Sequence, residues 1–239
     1  MQIHGNVRGQ GRIGHHGCKD NPTKPQPMSK MPPVTAALLI ANILVFMLQQ
    51  AGGEGMLMHF ALWPLGQSQM AQLDNGSLVR VAFQPWQILS YAFLHGNLTH
   101  IAFNMFALWM FGGPVETALG PRRFTFFYFA CIIGAACAQL AVIALFQSGQ
   151  FYPTVGASGG VFGLLLAFAM FYPQARLALI FVPIPVPAPI FVVGYMVIEL
   201  FLGITGTQAG VAHFAHLGGA IVGFLLIQYW RAQSARARR

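Results

Sequence analysis

The stretch "VGASGGVFG", residues 155–163, sets a single hydroxyl among glycines at the head of an apolar run that continues through Phe171. Ser158 is out of place there unless its surroundings give the hydroxyl a use. Composition identifies those surroundings. Of 239 residues, 56% are hydrophobic and only 8% charged, with a mean hydropathy of +0.59. Soluble domains carry about 25% charged residues. So few charges cannot cover a water-facing surface, and the chain reads as an all-α, multi-pass membrane protein.

Six segments approach the ~20 apolar residues that a helix needs to cross a bilayer: 34–50, 94–113, 123–146, 157–173, 187–206 and 210–230. Lipid offers backbone N–H and C=O groups no partner, so each segment is expected to be helical. The 51–93 segment is too polar and turn-rich to span. Its "MHFALWPLGQSQMAQL" (58–73) reads equally as an interfacial, partly helical loop or as an irregular one.

The net charge of +8 does not mark a nucleic-acid binder, because its distribution follows the membrane. Basic residues precede span 1 (Arg8, Arg12, Lys19, Lys24, Lys30) and lie between spans 2 and 3 (Arg122, Arg123) and spans 4 and 5 (Arg176). Others follow span 6 (Arg231, Arg236, Arg238, Arg239), which leaves Arg80 alone on the opposite side. Twelve of thirteen on one face is the positive-inside pattern, with both termini cytoplasmic and the 51–93 loop outside. Residues 1–30 lack the apolar core of a signal peptide and are expected to be a disordered basic segment. Residues 31–230 then form the six-helix domain and 231–239 a basic tail; Met1, Met28 and Met31 are all candidate starts. His4, His15, His16 and Cys18 have no fixed scaffold on which to bind metal. Cys131 and Cys137 are expected to be free buried thiols in span 3, with no disulfide framework.

With the N-terminus inside, spans 2, 4 and 6 enter from the outer side. Each carries its polar residues in its first two turns: "HGNLTHIAFN", "GASGG" and "VAHFAHLGG". At 1.5 Å per residue, His100, Ser158 and His216 fall within roughly 10 Å of one level. Taken singly, each has a plain reading: a packed serine, or a hydrogen-bonded histidine. Gly156, Gly159 and Gly163, with Gly219 and Gly223, read as small residues for helix packing. Such packing on spans 4 and 6 is also what a Ser158–His216 hydrogen bond requires, and that pair is suited to acyl transfer. The five acidic residues are Asp20, Glu54, Asp74, Glu116 and Glu199. Glu199 alone lies well inside a span; placed about half a membrane deep, it reads as structural, leaving a dyad rather than a triad. His100 and Asn104, spaced i, i+4, share a helix face and could both donate to a developing oxyanion. The Ser158 N–H, at a helix N-terminus, is a third donor. His95 lies off that face and is expected to pin the preceding loop.

Together these residues resemble the rhomboid family of intramembrane serine proteases. The matching motifs are G-A-S-G at Gly156–Gly159, H-x-x-x-N at His100–Asn104, and A-H-x-x-G-x-x-x-G from Ala215 through Gly223. "FGGPVETALG" and "FVPIPVPAPI" are similar to the family as well, and the resemblance covers about Met31 to Trp230. It implies a six-transmembrane-helix bundle with Ser158 as nucleophile and His216 as base. It further implies an oxyanion hole of His100, Asn104 and the Ser158 backbone N–H, with no cofactor and no metal. Substrates would be single-span membrane proteins cut near their outer end; a hydrated cavity open to the outer side would let water reach Ser158, with span 5 and the loop 203–210 as gates. A bacterial inner membrane is the expected location. Two departures stand out: Phe162 replaces a tyrosine found in some relatives, and Gln87 replaces the arginine that often follows the tryptophan at Trp86.

Rival readings explain less. A transporter lined by His95, His100, His213 and His216 leaves Ser158 and Asn104 without a role. A zinc metalloprotease would need H-E-x-x-H, and an aspartyl intramembrane protease would need paired membrane aspartates; the chain has neither. An inactive rhomboid-like binding factor has no need of the dyad, and both dyad residues are present. The orientation is testable. A cysteine at Gly76 should react with a membrane-impermeant thiol reagent in intact cells. Reaction only after permeabilisation would reverse the topology and dissolve the shared depth of His100, Ser158 and His216.

Overall fold

The computed structural model describes residues 30–72, 76–147, 149–179, 182–206 and 212–237. The N-terminal segment with His4, His15, His16 and Cys18, and residues 207–210 of the expected gate, lie outside them. Among the described residues, six helices of 14 to 28 residues dominate: α1 (Pro33–Phe60), α3 (Leu98–Leu119), α4 (Pro121–Phe146), α5 (Ser158–Phe171), α6 (Ala188–Thr205) and α7 (His213–Arg236). Each falls on one expected span. Helices α1, α4 and α6 are long and apolar enough by themselves to cross a membrane. Helix α5 is buried at the centre, packed by α7, α3, α4 and α6.

The boundaries differ from expectation for local reasons. Helix α1 continues to Phe60 across a break at Gly53, whose φ of 58° suits a residue without Cβ. Helix α3 starts at Leu98, because the Asn97 side chain accepts the His100 N–H at 2.8 Å and caps it. Helix α7 runs on to Arg236, so the expected tail is largely helical. The 51–93 segment carries an antiparallel hairpin, β1 (Ser68–Gln72) with β2 (Leu78–Ala82), and a short helix, α2 (Gln87–Ser90). The strands have five residues each, and β1 is polar, so apolar periodicity alone does not reveal the hairpin. A second hairpin, β3 (Arg176–Leu179) with β4 (Val182–Pro187), precedes α6. Cys131 is buried, whereas Cys137 is exposed on the outer face of α4, contrary to the expectation of two buried thiols.

Helix α1 is built inside out. Thr35, Asn42 and Gln49, spaced by seven, face inward and are buried, while Ile40, Ile43, Leu44, Met47 and Leu48 face outward. That is the pattern of a helix whose outer solvent is apolar. The inward groups find partners. Glu116 of α3 accepts from Val34 N at 3.0 Å and from Thr35 N and Thr35 Oγ1 at 2.7 Å, capping the α1 N-terminus with a carboxylate. Gln49 exchanges two hydrogen bonds with the His95 backbone, at 2.7 and 3.0 Å.

Glycines set the closest helix approaches. A Cβ on Gly219 would overlap the Gly159 carbonyl, and one on Gly223 would lie 3.3 Å from Gly163 Cα. Since 159 pairs with 219 and 163 with 223, α5 and α7 run parallel. On its other side α7 meets α4, where a Gly218 Cβ would lie 2.9 Å from Gly134 O.

The segment leading into α5 is clamped by the loop after α1. Leu62 and Thr154 exchange backbone bonds of 3.0 and 2.9 Å, and Gly156 N–H donates to Tyr91 O at 2.9 Å. Gln87 anchors that loop. Fully buried, its carbonyl oxygen accepts from Trp63 N at 3.3 Å and Gln84 N at 3.1 Å. Its amide donates to His59 O at 3.2 Å and Ala82 O at 3.4 Å, while Trp86 Nε1 donates to His59 O at 2.9 Å. The glutamine that replaces arginine is thus a complete anchor in its own right.

Two stability predictions follow from these contacts. Gly219→Ala places a methyl group on backbone that cannot swing away, so it should cost about 3 kcal/mol, the upper range for overpacking. A variant that melts like wild type in detergent would refute the close approach. Gln87→Ala should cost about 1–3 kcal/mol for each buried partner left unsatisfied, read as lower melting temperature and faster proteolysis after Phe60.

Candidate active site

Ser158 is the first residue of α5, half-buried, on a chain that turns sharply just before it. The turn is made at Gly156, with φ of 123°. A Cβ there would sit 2.8 Å from the His100 ring. Gly156 therefore does not pack helices, as the sequence reading had it; it lies before α5 and lets the chain pass the imidazole. His216 lies in the first turn of α7. The parallel approach of α5 and α7 brings His216 Nε2 to 2.8 Å from Ser158 Oγ. Phe162, one turn along α5, stacks on the imidazole with centroids 4.3 Å apart and planes at 6°. A phenyl ring thus supplies the packing surface without a hydroxyl.

His100 and Asn104 face the same space from α3. The Gly96 N–H donates to His100 Nδ1 at 3.3 Å, so in the neutral ring Nε2 carries the proton. That nitrogen lies beside Gly156, in the cavity that Ser158 also lines. Asn104 Nδ2 donates one hydrogen to His100 O at 2.9 Å, and a primary amide has a second to give. The Ser158 N–H belongs to the first helical turn, where no intrahelical acceptor exists. His95 is fully buried and held through its backbone by Gln49, with its ring edge-on to His100 at 5.2 Å.

Glu199 corrects the sequence reading. Its Oε2 lies 2.9 Å from His216 Nδ1 and 2.7 Å from His213 Nδ1. It is not a remote structural group. The signal was available. Glu199 lies six residues before Thr205, the end of α6, so it is about 9 Å from that end at 1.5 Å per residue. Counted from the other end of the span, the same residue looked half a membrane deep. His213, set aside in the sequence, is drawn in with it. The three ligand atoms of Glu199, His213 and His216 lie within 4.8 Å of one another and are the ones a metal ion could use.

His100, Asn104, Ser158, Phe162, Tyr195 and His216 line one cavity of about 1080 Å³. Three helices, α3, α5 and α7, thus deliver a hydroxyl, a base in contact with it, and three donors to one place. That set can form and break an acyl bond.

Comparison with known proteins identifies the family of the chain. The Rhomboid domain model matches residues 82–233. The chain is 30% identical over 211 residues to the rhomboid protease GlpG of Serratia proteamaculans, covering 84% of this chain and 64% of that protein. It is 31% identical over 145 residues to rhomboid protein 1, mitochondrial, of Saccharomyces cerevisiae, covering 58% of this chain and 40% of that one. To the human presenilin-associated rhomboid-like protein, mitochondrial, it is 27% identical over 196 residues, covering 80% of this chain and 47% of that protein. The chain therefore spans less than two thirds of the length of each of these relatives. The matched region contains all of the motifs that meet at the cavity, and the chain belongs to the rhomboid family.

Proposed function

We propose that this protein is an intramembrane serine endopeptidase that cleaves transmembrane segments near their outer end. In this reading the six long helices all cross the bilayer, residues 31–230 form the protease core, and both termini are cytoplasmic. A bacterial inner membrane suits that topology. The observation that carries the reading is the 2.8 Å contact between Ser158 Oγ and His216 Nε2, made across two helices at the edge of a large cavity.

His216 Nε2 takes the Ser158 proton as Oγ attacks the scissile carbonyl carbon. The carbonyl oxygen becomes an oxyanion facing His100 Nε2–H, the second Asn104 N–H and the Ser158 N–H. On collapse the C–N bond breaks, and the imidazolium returns the proton to the leaving amine. Water, deprotonated by His216, then hydrolyses the acyl-enzyme and restores Ser158. The cavity supports an apolar, membrane-embedded substrate. It runs from Gly96 and Asn97, at the head of α3, to Arg176–Ala178, between walls that include Phe103, Met110, Leu165 and Phe191. Helix α5 has 14 residues, about 21 Å of length against a hydrocarbon core of ~30 Å. Ser158 is accordingly recessed, and substrate must unwind to present a carbonyl there.

A fluorophosphonate probe with a transmembrane reporter substrate tests this. Wild type should label at Ser158, and Ser158→Ala and His216→Ala should each abolish turnover without adding to one another. Asn104→Ala and His100→Ala should each lower kcat by about 10²–10³ while retaining measurable activity. Turnover by Ser158→Ala would end the serine-protease reading.

A further inference from the structure

We propose that Glu199 is a third functional member of this site: a positioning residue that fixes the tautomer of His216 and stabilises its protonated form. The proposal rests on the serine-protease reading for its chemistry, and on Glu199, His213, His216 and Ser158 for its geometry. Glu199 Oε2 lies 2.9 Å from His216 Nδ1, and His216 Nε2 lies 2.8 Å from Ser158 Oγ. The three groups form a continuous chain through the two nitrogens of one ring.

A carboxylate can only accept, so the nitrogen facing it must carry the proton. With Nδ1 protonated, a neutral imidazole has its lone pair on Nε2, the atom against Ser158. Glu199 thereby selects the one tautomer able to receive the serine proton. Without it nothing else among the described residues holds the His216 ring through a polar contact except Ser158 itself, since Phe162 offers only its face. When Oγ attacks, its proton moves to Nε2 and His216 becomes an imidazolium. The Nδ1 proton stays on nitrogen, Glu199 stays ionised, and the new positive charge faces a negative one at hydrogen-bond distance. When the tetrahedral species collapses, the Nε2 proton leaves with the amine and the ring returns to neutrality.

The environment is arranged to keep that carboxylate ionised. Glu199 is 5% exposed, and a buried charge needs compensation. His213 supplies a second N–H to the same oxygen at 2.7 Å. Both histidines stand in the first turn of α7, where the helix dipole favours an anion. The His213 Nε2 has no hydrogen-bond partner among the described residues, so its one polar contact here is the one that holds Glu199. A carboxylate on an otherwise apolar helix, aimed at two imidazoles beside a serine, has a clear candidate role.

The test uses the full-length protein in detergent, wild type and Glu199→Gln, which preserves side-chain shape. Nitrogen-15 spectra of the histidines should show wild-type His216 protonated at Nδ1, with a strongly deshielded proton that moves upfield in the variant. Glu199→Gln should lower kcat about 10²–10⁴-fold, as loss of a triad carboxylate does, with KM and melting temperature unchanged. A wild-type His216 protonated at Nε2 instead would overturn the proposal, and that spectrum decides the matter even if the variant fails to fold. Glu199→Gln turning over at the wild-type rate would also overturn it, as would a rate loss fully matched by loss of fold. The serine-protease reading fails separately: wild type would then leave Ser158 unlabelled by the probe, whereas the His216 spectra would still report the Glu199 contact.

Discussion

The backbone contact between Gly159 and Gly219 sets the distance on which the site depends. Ser158 immediately precedes the first of these glycines, and His216 lies three residues before the second, on the same face of its helix. A side chain at Gly219 would push α5 and α7 apart, and the 2.8 Å Ser158–His216 contact would be lost with them, while one at Gly159 would run into Ala135 of α4. The next pair, Gly163 and Gly223, repeats the approach one turn along and fixes the helices as parallel. Parallel packing places both helix N-termini, and hence Ser158 and His216, at one end of the interface. Gly218 against Gly134 then seats α7 on α4, so the base-bearing helix is held from two sides.

Around that contact the protein inverts the usual distribution of polarity. Buried polar groups hold the interior together: Glu116 on the α1 N-terminus, Gln49 on the His95 backbone, and Gln87 inside the loop after α1. In an apolar solvent the hydrophobic effect gives little reason for helices to associate, so packing and interior hydrogen bonds must supply it. The outward faces of α1 and α6 are correspondingly rich in Ile, Leu, Val and Phe. The loop after α1 is more than a connector. Its backbone bonds at Leu62 and Tyr91 grip the strand of chain that turns into Ser158.

Much of this was legible in the sequence. The helices, their order and the residues that meet at the cavity all follow from apolar length, charge distribution and motif spacing. The features that were not legible have physical causes. The β1–β2 hairpin is held by backbone bonds, and its first strand, "SQMAQ", is polar and carries no clear alternation. Gly156 reads like its neighbours as a small packing residue, and only its φ and the adjacent His100 ring distinguish it. Gln87 stands out in the sequence only as a replacement for arginine, yet an amide with two donors and two acceptor sites suits its four backbone partners. Glu199 reads as a structural group about half a membrane deep, whereas it lies near the end of α6 that meets His213 and His216.

In the proposed reaction, acyl transfer creates a negative oxygen and a positive imidazole a few ångström apart, in surroundings that solvate neither well. The parallel N-termini of α5 and α7 direct partial positive charge at this region, which favours the oxyanion and opposes the imidazolium. A site built from those two helices alone would therefore assist one developing charge at the expense of the other. Helix α6 runs the opposite way and brings a carboxylate in at its far end, against the ring nitrogen remote from Ser158. The negative charge is thus kept from the oxyanion by the width of the imidazole while remaining in contact with the cation. Two parallel helices and one antiparallel helix place each compensating charge on the proper side of His216.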